Sequence, residues 1–147
     1  MSHTAEVEGI RTGRTPNGEQ VPAALLRARG EYLPIFVTDD QADAIHRGLE
    51  NEPFERPLTH DLLVELVTEL GGAFDRVRID DLQEGTFLAK IELQRYDAGK
   101  AQPMTFDARP SDAVALAVRA DCPIEIDEEV LDVAGRSREE LGVEDEG

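Results

Sequence analysis

The sequence predicts an α+β fold: a twisted, mostly antiparallel sheet with about four helices packed on it in one compact domain. Three observations lead there. Period-two alternation fills the first and middle thirds, as in Phe87, Ala89, Ile91 and Leu93. Helical stripes are inserted between these runs, the cleanest being Leu62, Leu63, Leu66, Val67 and Leu70. The chain has 147 residues, the length of a single domain that can bury its own core.

Each element has a local reason. Residues 6–12 read as a strand, TPNGEQ as a turn with Asn17-Gly18 as its hairpin signal, and residues 21–29 as the return strand, broken by Gly30. YLPIFV (32–37) is a short apolar strand, and Pro34 marks it as an edge or a bend. Thr38 and Gln41 have the spacing of a capping box, and Ala42, Ile45 and Leu49 recur on one face of the helix they open. His46 lies beside that face and reads as a surface or boundary histidine. Residues 51–58 are a loop with two prolines. A second helix starts near Thr59 and closes at Gly71-Gly72. Strands at 74–82 and 86–96 flank the turn Gln83-Glu84-Gly85, and a further strand at 104–107 follows a turn at 97–100. The third helix runs from Pro110 or Ser111 to about Ala120. It is apolar nearly all round, so it should be buried. A strand at 123–126 and a helix at 127–134 complete a domain of residues 1–134. Residues 135–147 form an acidic tail, expected to be mobile and to hold at most a short helical turn.

Composition narrows the setting. A single cysteine, Cys122, excludes an intrachain disulfide and a zinc site built on cysteines, which fits a reducing compartment. The N-terminus lacks the pattern of a signal peptide, and the longest apolar run, 113–118, is far too short to span a bilayer. The expectation is a soluble, cytoplasmic protein. Asp and Glu number 32 against 15 Lys and Arg, a formal net charge of −17, and the acids are spread along the whole chain. Such a surface suits molar salt, where the Debye length is about 3 Å and self-repulsion is screened. It is also a poor generic partner for nucleic acid, since affinity for phosphate comes largely from Lys and Arg. Any such role must rest on a local site.

Two stretches carry the polar chemistry. FDARPSDAVALAV and ERPLTHDLLVEL both place Arg-Pro, then Ser or Thr, then Asp, before a helix. Capping accounts for much of this. Proline is favoured in a first turn, Thr59 and Ser111 are natural caps, and Asp61 and Asp112 suit the positive helix end. Arg56, His60, Asp107 and Arg109 are left over. Asp107 and Arg109 flank Ala108 and are expected to face the same way and pair. His60, facing the positive end of its helix, is favoured in its neutral form, able to act as a base or bind a metal. Two helix starts with arginines, a histidine and carboxylates are the parts phosphodiester chemistry uses.

With YLPIFVTDDQADAI and CPIEIDEEVL added, these motifs resemble the bifunctional nuclease domain family over nearly the whole chain, about residues 6–134. The acidic surface suggests a haloarchaeal-type member. The resemblance implies a compact α+β domain, a homodimer, and hydrolysis of phosphodiester bonds in DNA, RNA or both. Carried onto this chain, the motif positions are Arg56, Pro57, Thr59, His60 and Asp61, then Asp107, Arg109, Pro110, Ser111 and Asp112. Phe36, Val37 and Thr38 depart from the family's aromatic–apolar–glycine pattern, and Gln41 stands where a glutamate is common. The expected catalytic set is His60, Asp61, Asp107 and Asp112, with His60 as general acid or base. Asp107 and Asp112 are the metal ligands expected for a divalent ion such as Mg or Mn. Arg56 and Arg109 are the phosphate clamps, and Thr59 and Ser111 cap helices. Two other readings stay open: a non-catalytic dimeric binding or assembly protein in which the Arg-Pro motifs are structural, and a binder of small phosphorylated metabolites.

Overall fold

Tight turns with two positive φ angles build most of the sheet. The computed structural model describes residues 1–14, 17–50 and 58–141. Within it, Arg29-Gly30, Glu84-Gly85 and Ala98-Gly99 all lie at φ between 50° and 80°. That geometry matches the right-handed twist of the strands it joins, and glycine takes the second position at no steric cost. The turns connect β2 (Gln20–Ala28) to β3 (Glu31–Phe36), β4 (Gly72–Gln83) to β5 (Thr86–Asp97), and β5 to β6 (Lys100–Ala108). With β1 (Ser2–Arg14) and β7 (Ile124–Asp127) they form one seven-stranded sheet of order β3-β2-β1-β7-β4-β5-β6. Every pairing is antiparallel except β4 with β7. A parallel pair needs a long crossover, and β5, β6 and the helix after them supply it.

The helices are α1 (Asp39–Glu50), α2 (Thr59–Glu69), α3 (Pro110–Ala120), α4 (Glu128–Ala134) and α5 (Arg138–Leu141). The mostly antiparallel α+β expectation therefore holds, with five helices among the described residues. The Thr38–Gln41 capping box forms as its spacing predicts: Gln41 N–H donates to Thr38 Oγ at 3.2 Å, and Thr38 N–H to Gln41 Oε1 at 2.8 Å. Pro34 does sit on an edge strand. The polar segment after Gly135 is tied back: Arg136 and Tyr32 exchange backbone hydrogen bonds, and Arg138 donates to the Tyr32 hydroxyl. The loop at 51–57, including Arg56 and Pro57, part of the TPNGEQ turn, and residues 142–147 of the tail lie outside the described residues.

One sheet face is apolar and carries the core. Val77, Ile79, Ala89, Ile91, Ile124 and Ile126 face α3, whose Ala113 to Ala117 are all buried. Three of those five residues are alanines, so the helix axis can come close to the strands and to α1 and α2, which pack on it. The other face is ionic. Arg76 binds Glu92 and Glu125, Arg78 binds Asp127, and Lys90 binds Asp80 and Asp107. Helix α2 carries the leucine stripe its spacing predicts, but outside the core. None of its residues is buried, and Leu62, Leu63, Leu66 and Leu70 are 42–81% exposed.

Candidate active site at the clasped helix starts

The two helix starts align at their aspartates, although Arg-Pro stands two residues further from the aspartate in the first stretch than in the second. Thr59 and Pro110 each begin a helix, His60 and Ser111 come second, and Asp61 and Asp112 third. The N-cap positions are Leu58 and Arg109, neither of which makes a side-chain cap bond. The expected capping roles of Thr59 and Ser111 are thus not realised: both residues already lie inside the first turn, Thr59 one step and Ser111 two steps past the position from which a hydroxyl caps. Part of the work falls to Asp61, whose Oδ2 accepts the Leu58 N–H at 3.1 Å. Leucine has no acceptor to return the bond, so only half of a capping box exists.

The third-position aspartates then cross-link the helices. Asp112 of α3 meets His60 of α2, Nε2 to Oδ1 at 2.9 Å. Asp61 of α2 meets Arg119 near the end of α3, Oδ1 to Nε at 2.7 Å. Asp112 and Arg119 are seven residues apart, two turns along one face, so a single helix face receives both partners. Arg119 is 6% exposed and also donates to the Ala115 carbonyl at 2.9 Å.

Arg109 closes the group by donating from Nε to Asp112 Oδ2 at 2.9 Å. Burial works to raise the Asp112 carboxyl, but the bonds from His60 and Arg109 outweigh it and hold the group below the ordinary carboxylate range. Asp112 is therefore ionised at neutral pH and can only accept. His60 Nε2 must carry the proton, and in the neutral ring Nδ1 keeps the lone pair. This is the arrangement in which a carboxylate orients an imidazole for proton transfer.

Of the residues singled out in the sequence, the fold brings together His60, Arg109 and Asp112, with Asp61 beside them. It does not bring in Asp107. Strand register pairs Asp107 with Lys90, and both lie on the ionic sheet face opposite α3. The expected Asp107–Arg109 pair does not form, because the chain turns into the helix at Arg109 and leaves strand geometry. Arg119 escaped the sequence reading. A charged residue in the last turn of an apolar helix was the available signal, but only the tertiary fold supplies its partner.

An open cleft of about 300 Å³ adjoins Arg109, lined also by Pro110, Ser111, Ile35, Phe36, Gln41, Gly85, Thr86 and Phe87. A second cleft, of about 290 Å³, contains Cys122, but burial pushes its thiol up to about 11, so it is protonated and unreactive at neutral pH. Among the described residues no three His, Cys, Asp or Glu side chains gather to hold a metal. No helix among them is long and apolar enough to cross a membrane.

Sheet, crossover helix and clasped helix starts define an α+β domain whose polar chemistry converges on one carboxylate, Asp112. The chain belongs to the bifunctional nuclease domain family, whose model matches residues 24–139. It is 44% identical over 133 residues to an uncharacterized protein of Mycobacterium tuberculosis, covering 88% of this chain and 74% of that one. It is 28% identical over 114 residues to bifunctional nuclease 2 of Oryza sativa, and 27% identical over 117 residues to bifunctional nuclease 1 of Arabidopsis thaliana. Those matches cover 76% and 78% of this chain but only 35% and 36% of the plant proteins. These relatives are bacterial and plant, so they lend no support to a haloarchaeal-type member.

Proposed function

We propose that the protein hydrolyses phosphodiester bonds in DNA, RNA or both. The observation that carries this reading is the meeting of His60 and Arg109 on Asp112, with Arg109 also lining a cleft, in a family whose plant members are named bifunctional nucleases. In this reading His60 Nδ1 takes the proton of the attacking water, Asp112 stabilises the imidazolium, and the outer nitrogens of Arg109 hold the phosphate while the P–O bond to the leaving oxygen breaks and that oxygen takes a proton from solvent. Arg56 is proposed as a second clamp. Asp61 positions His60 by fixing the start of α2. The donor set does not fit a divalent ion bound jointly by Asp107 and Asp112, which lie on opposite sides of the sheet.

Cleavage of single- and double-stranded DNA and RNA tests this, in low and molar KCl, with Mg²⁺, Mn²⁺ or chelator. His60→Ala is expected to lose a factor of about 10²–10⁴ in rate, and Arg109→Ala to raise the substrate concentration needed. A wild type that cuts nothing, or a His60→Ala variant that cuts as well, rejects the reading.

We further infer a cytoplasmic homodimer adapted to salt. Its support is the uncovered apolar face of α2 and β6, with Leu62, Leu66, Leu70, Met104 and Phe106 all exposed, together with the net charge of −17. A second reading, a non-catalytic dimeric assembly protein, is favoured by the same clasp, since His60–Asp112 and Asp61–Arg119 also tie two helices together. In that case the variants change stability and oligomeric mass, and the wild type has no cleavage to lose.

A further inference from the structure

We propose that the cleft beside Arg109 holds one unpaired nucleotide of a single-stranded nucleic acid, with its phosphate at Arg109 and Ser111 and its base against Phe36. The inference rests on the phosphodiester reading and gives that reading a substrate class.

Three observations point to a phosphate. In a chain with 32 acids and 15 bases, the residues lining this cleft include one guanidinium and no carboxylate. Several other arginines are taken up more fully by acids, as Arg76 is by two glutamates. Arg109 is 68% exposed and engages Asp112 through Nε, which leaves its outer nitrogens directed to solvent. Ser111 is only 6% exposed and lines the cleft, and its hydroxyl makes no hydrogen bond among the described residues. Its Oγ is not among the sealed, unpaired polar atoms, so its remaining access is through the cleft. A buried hydroxyl without a partner is costly unless something arrives to bond it. It sits at the second position of an eleven-residue helix, where the backbone N–H groups have no intrahelical acceptor and favour an anion.

The far wall points to a base. Phe36 is 45% exposed and Phe87 half-buried on the same cleft. The Phe36 ring rests on Gly13, where an added Cβ would come within 2.8 Å of Cε1, so glycine there seats the ring. An aromatic held from beneath and open above is a stacking platform for an unpaired base. The volume, about 300 Å³, lies at the small end of ligand sites and excludes a duplex.

The test uses the full chain and a single-stranded oligonucleotide carrying 2-aminopurine, whose fluorescence is quenched on stacking, with phosphorothioate linkages to resist cutting. The wild type should bind with quenching and prefer the single strand to the duplex. Phe36→Leu should weaken binding about tenfold and abolish the quench, and Phe36→Trp should restore both. Ser111→Ala should weaken binding without changing the quench of the bound strand. Gly13→Ala, which displaces the ring, should act like Phe36→Leu. Thermal unfolding confirms that each variant is folded. No binding by the wild type, equal binding of duplex, or a folded Phe36→Leu that binds and quenches normally overturns the subsite. Phe36-dependent quenching in a protein that cuts nothing with any metal upholds the subsite and rejects only the nuclease reading. Cutting that is indifferent to Phe36 and Ser111 does the reverse.

Discussion

Helices α2 and α3 begin with the same lettering and meet opposite fates. Both carry an aspartate at the third position, and each aspartate reaches a side chain of the other helix. Yet α3 buries six of its eleven residues, while α2 buries none and turns its leucines outward. The small side chains of α3 let it sit between the sheet and its neighbours, whereas α2 leans on α3 and leaves a wide leucine stripe uncovered. The shared motif therefore specifies how two helices are locked together at their starts. Which helix belongs to the core is decided by residue size further along.

One pair of substitutions tests that difference most strongly. Leu116→Ala on α3, at 5% exposure, should cost about 3 kcal/mol in urea unfolding. Leu66→Ala on α2, at 47% exposure, should cost about 1 kcal/mol or less in the monomer. Comparable losses at high protein concentration that separate on dilution would mean the α2 face is covered by a second copy. Arg119→Met should come next, at about 2–3 kcal/mol. It removes a buried guanidinium but strands a carboxylate, Asp61, that is 40% exposed and so can recover hydration. A neutral result would show that the clasp does not hold α2 in place.

How much of this could be read in advance differs by level. Strands, turns and the burial of α3 follow from local pattern. The Thr38–Gln41 box forms because its chemistry is complete within four residues. The site was half legible. His60, Arg109 and Asp112 were visible as residues that capping did not exhaust, but their convergence needs α2 to cross the start of α3, and no spacing encodes that. Asp107 was misread as a partner of Arg109 because strand alternation was carried one residue past the strand's end. The α2 stripe was legible as an apolar face, but periodicity is silent on what covers such a face.

Acid titration sharpens the picture at a smaller scale. Asp112 is held below its ordinary value of 3.8, so its ionised form binds His60 and Arg109 more strongly in the folded chain than in the unfolded one. A depressed carboxyl contributes stability that is complete above the unfolded value and fades as pH falls through the folded one. The wild type should therefore lose this share below about pH 5. Asp112→Asn should flatten that part of the acid limb and cost about 1 kcal/mol at neutral pH, since the group keeps some contact with solvent. An unchanged acid limb in Asp112→Asn would mean that the three-residue group does not form in solution.

The smallest expected effect separates Asp112 from Asp107. Asp107 is 88% exposed and pairs with Lys90 at 3.0 Å, and that pairing is the leading reason the Lys90 ammonium is raised above its ordinary value. Exposed pairs contribute little, so Asp107→Asn should cost less than about 0.5 kcal/mol. The informative measurement is the double variant with Asp112→Asn. Sites on opposite sides of a sheet with no shared partner should be additive to within about 0.5 kcal/mol, both in unfolding and in the logarithm of any cleavage rate. Two carboxylates that share a metal ion cannot behave so, because losing the first ligand removes most of what the second contributes. Additivity would leave Asp112 as the centre of the site and Asp107 as one rung of an ionic ladder. A coupling well above that limit would mean that ion or substrate draws β6 and the start of α3 into a single site, and the division between the two sheet faces drawn here would be wrong.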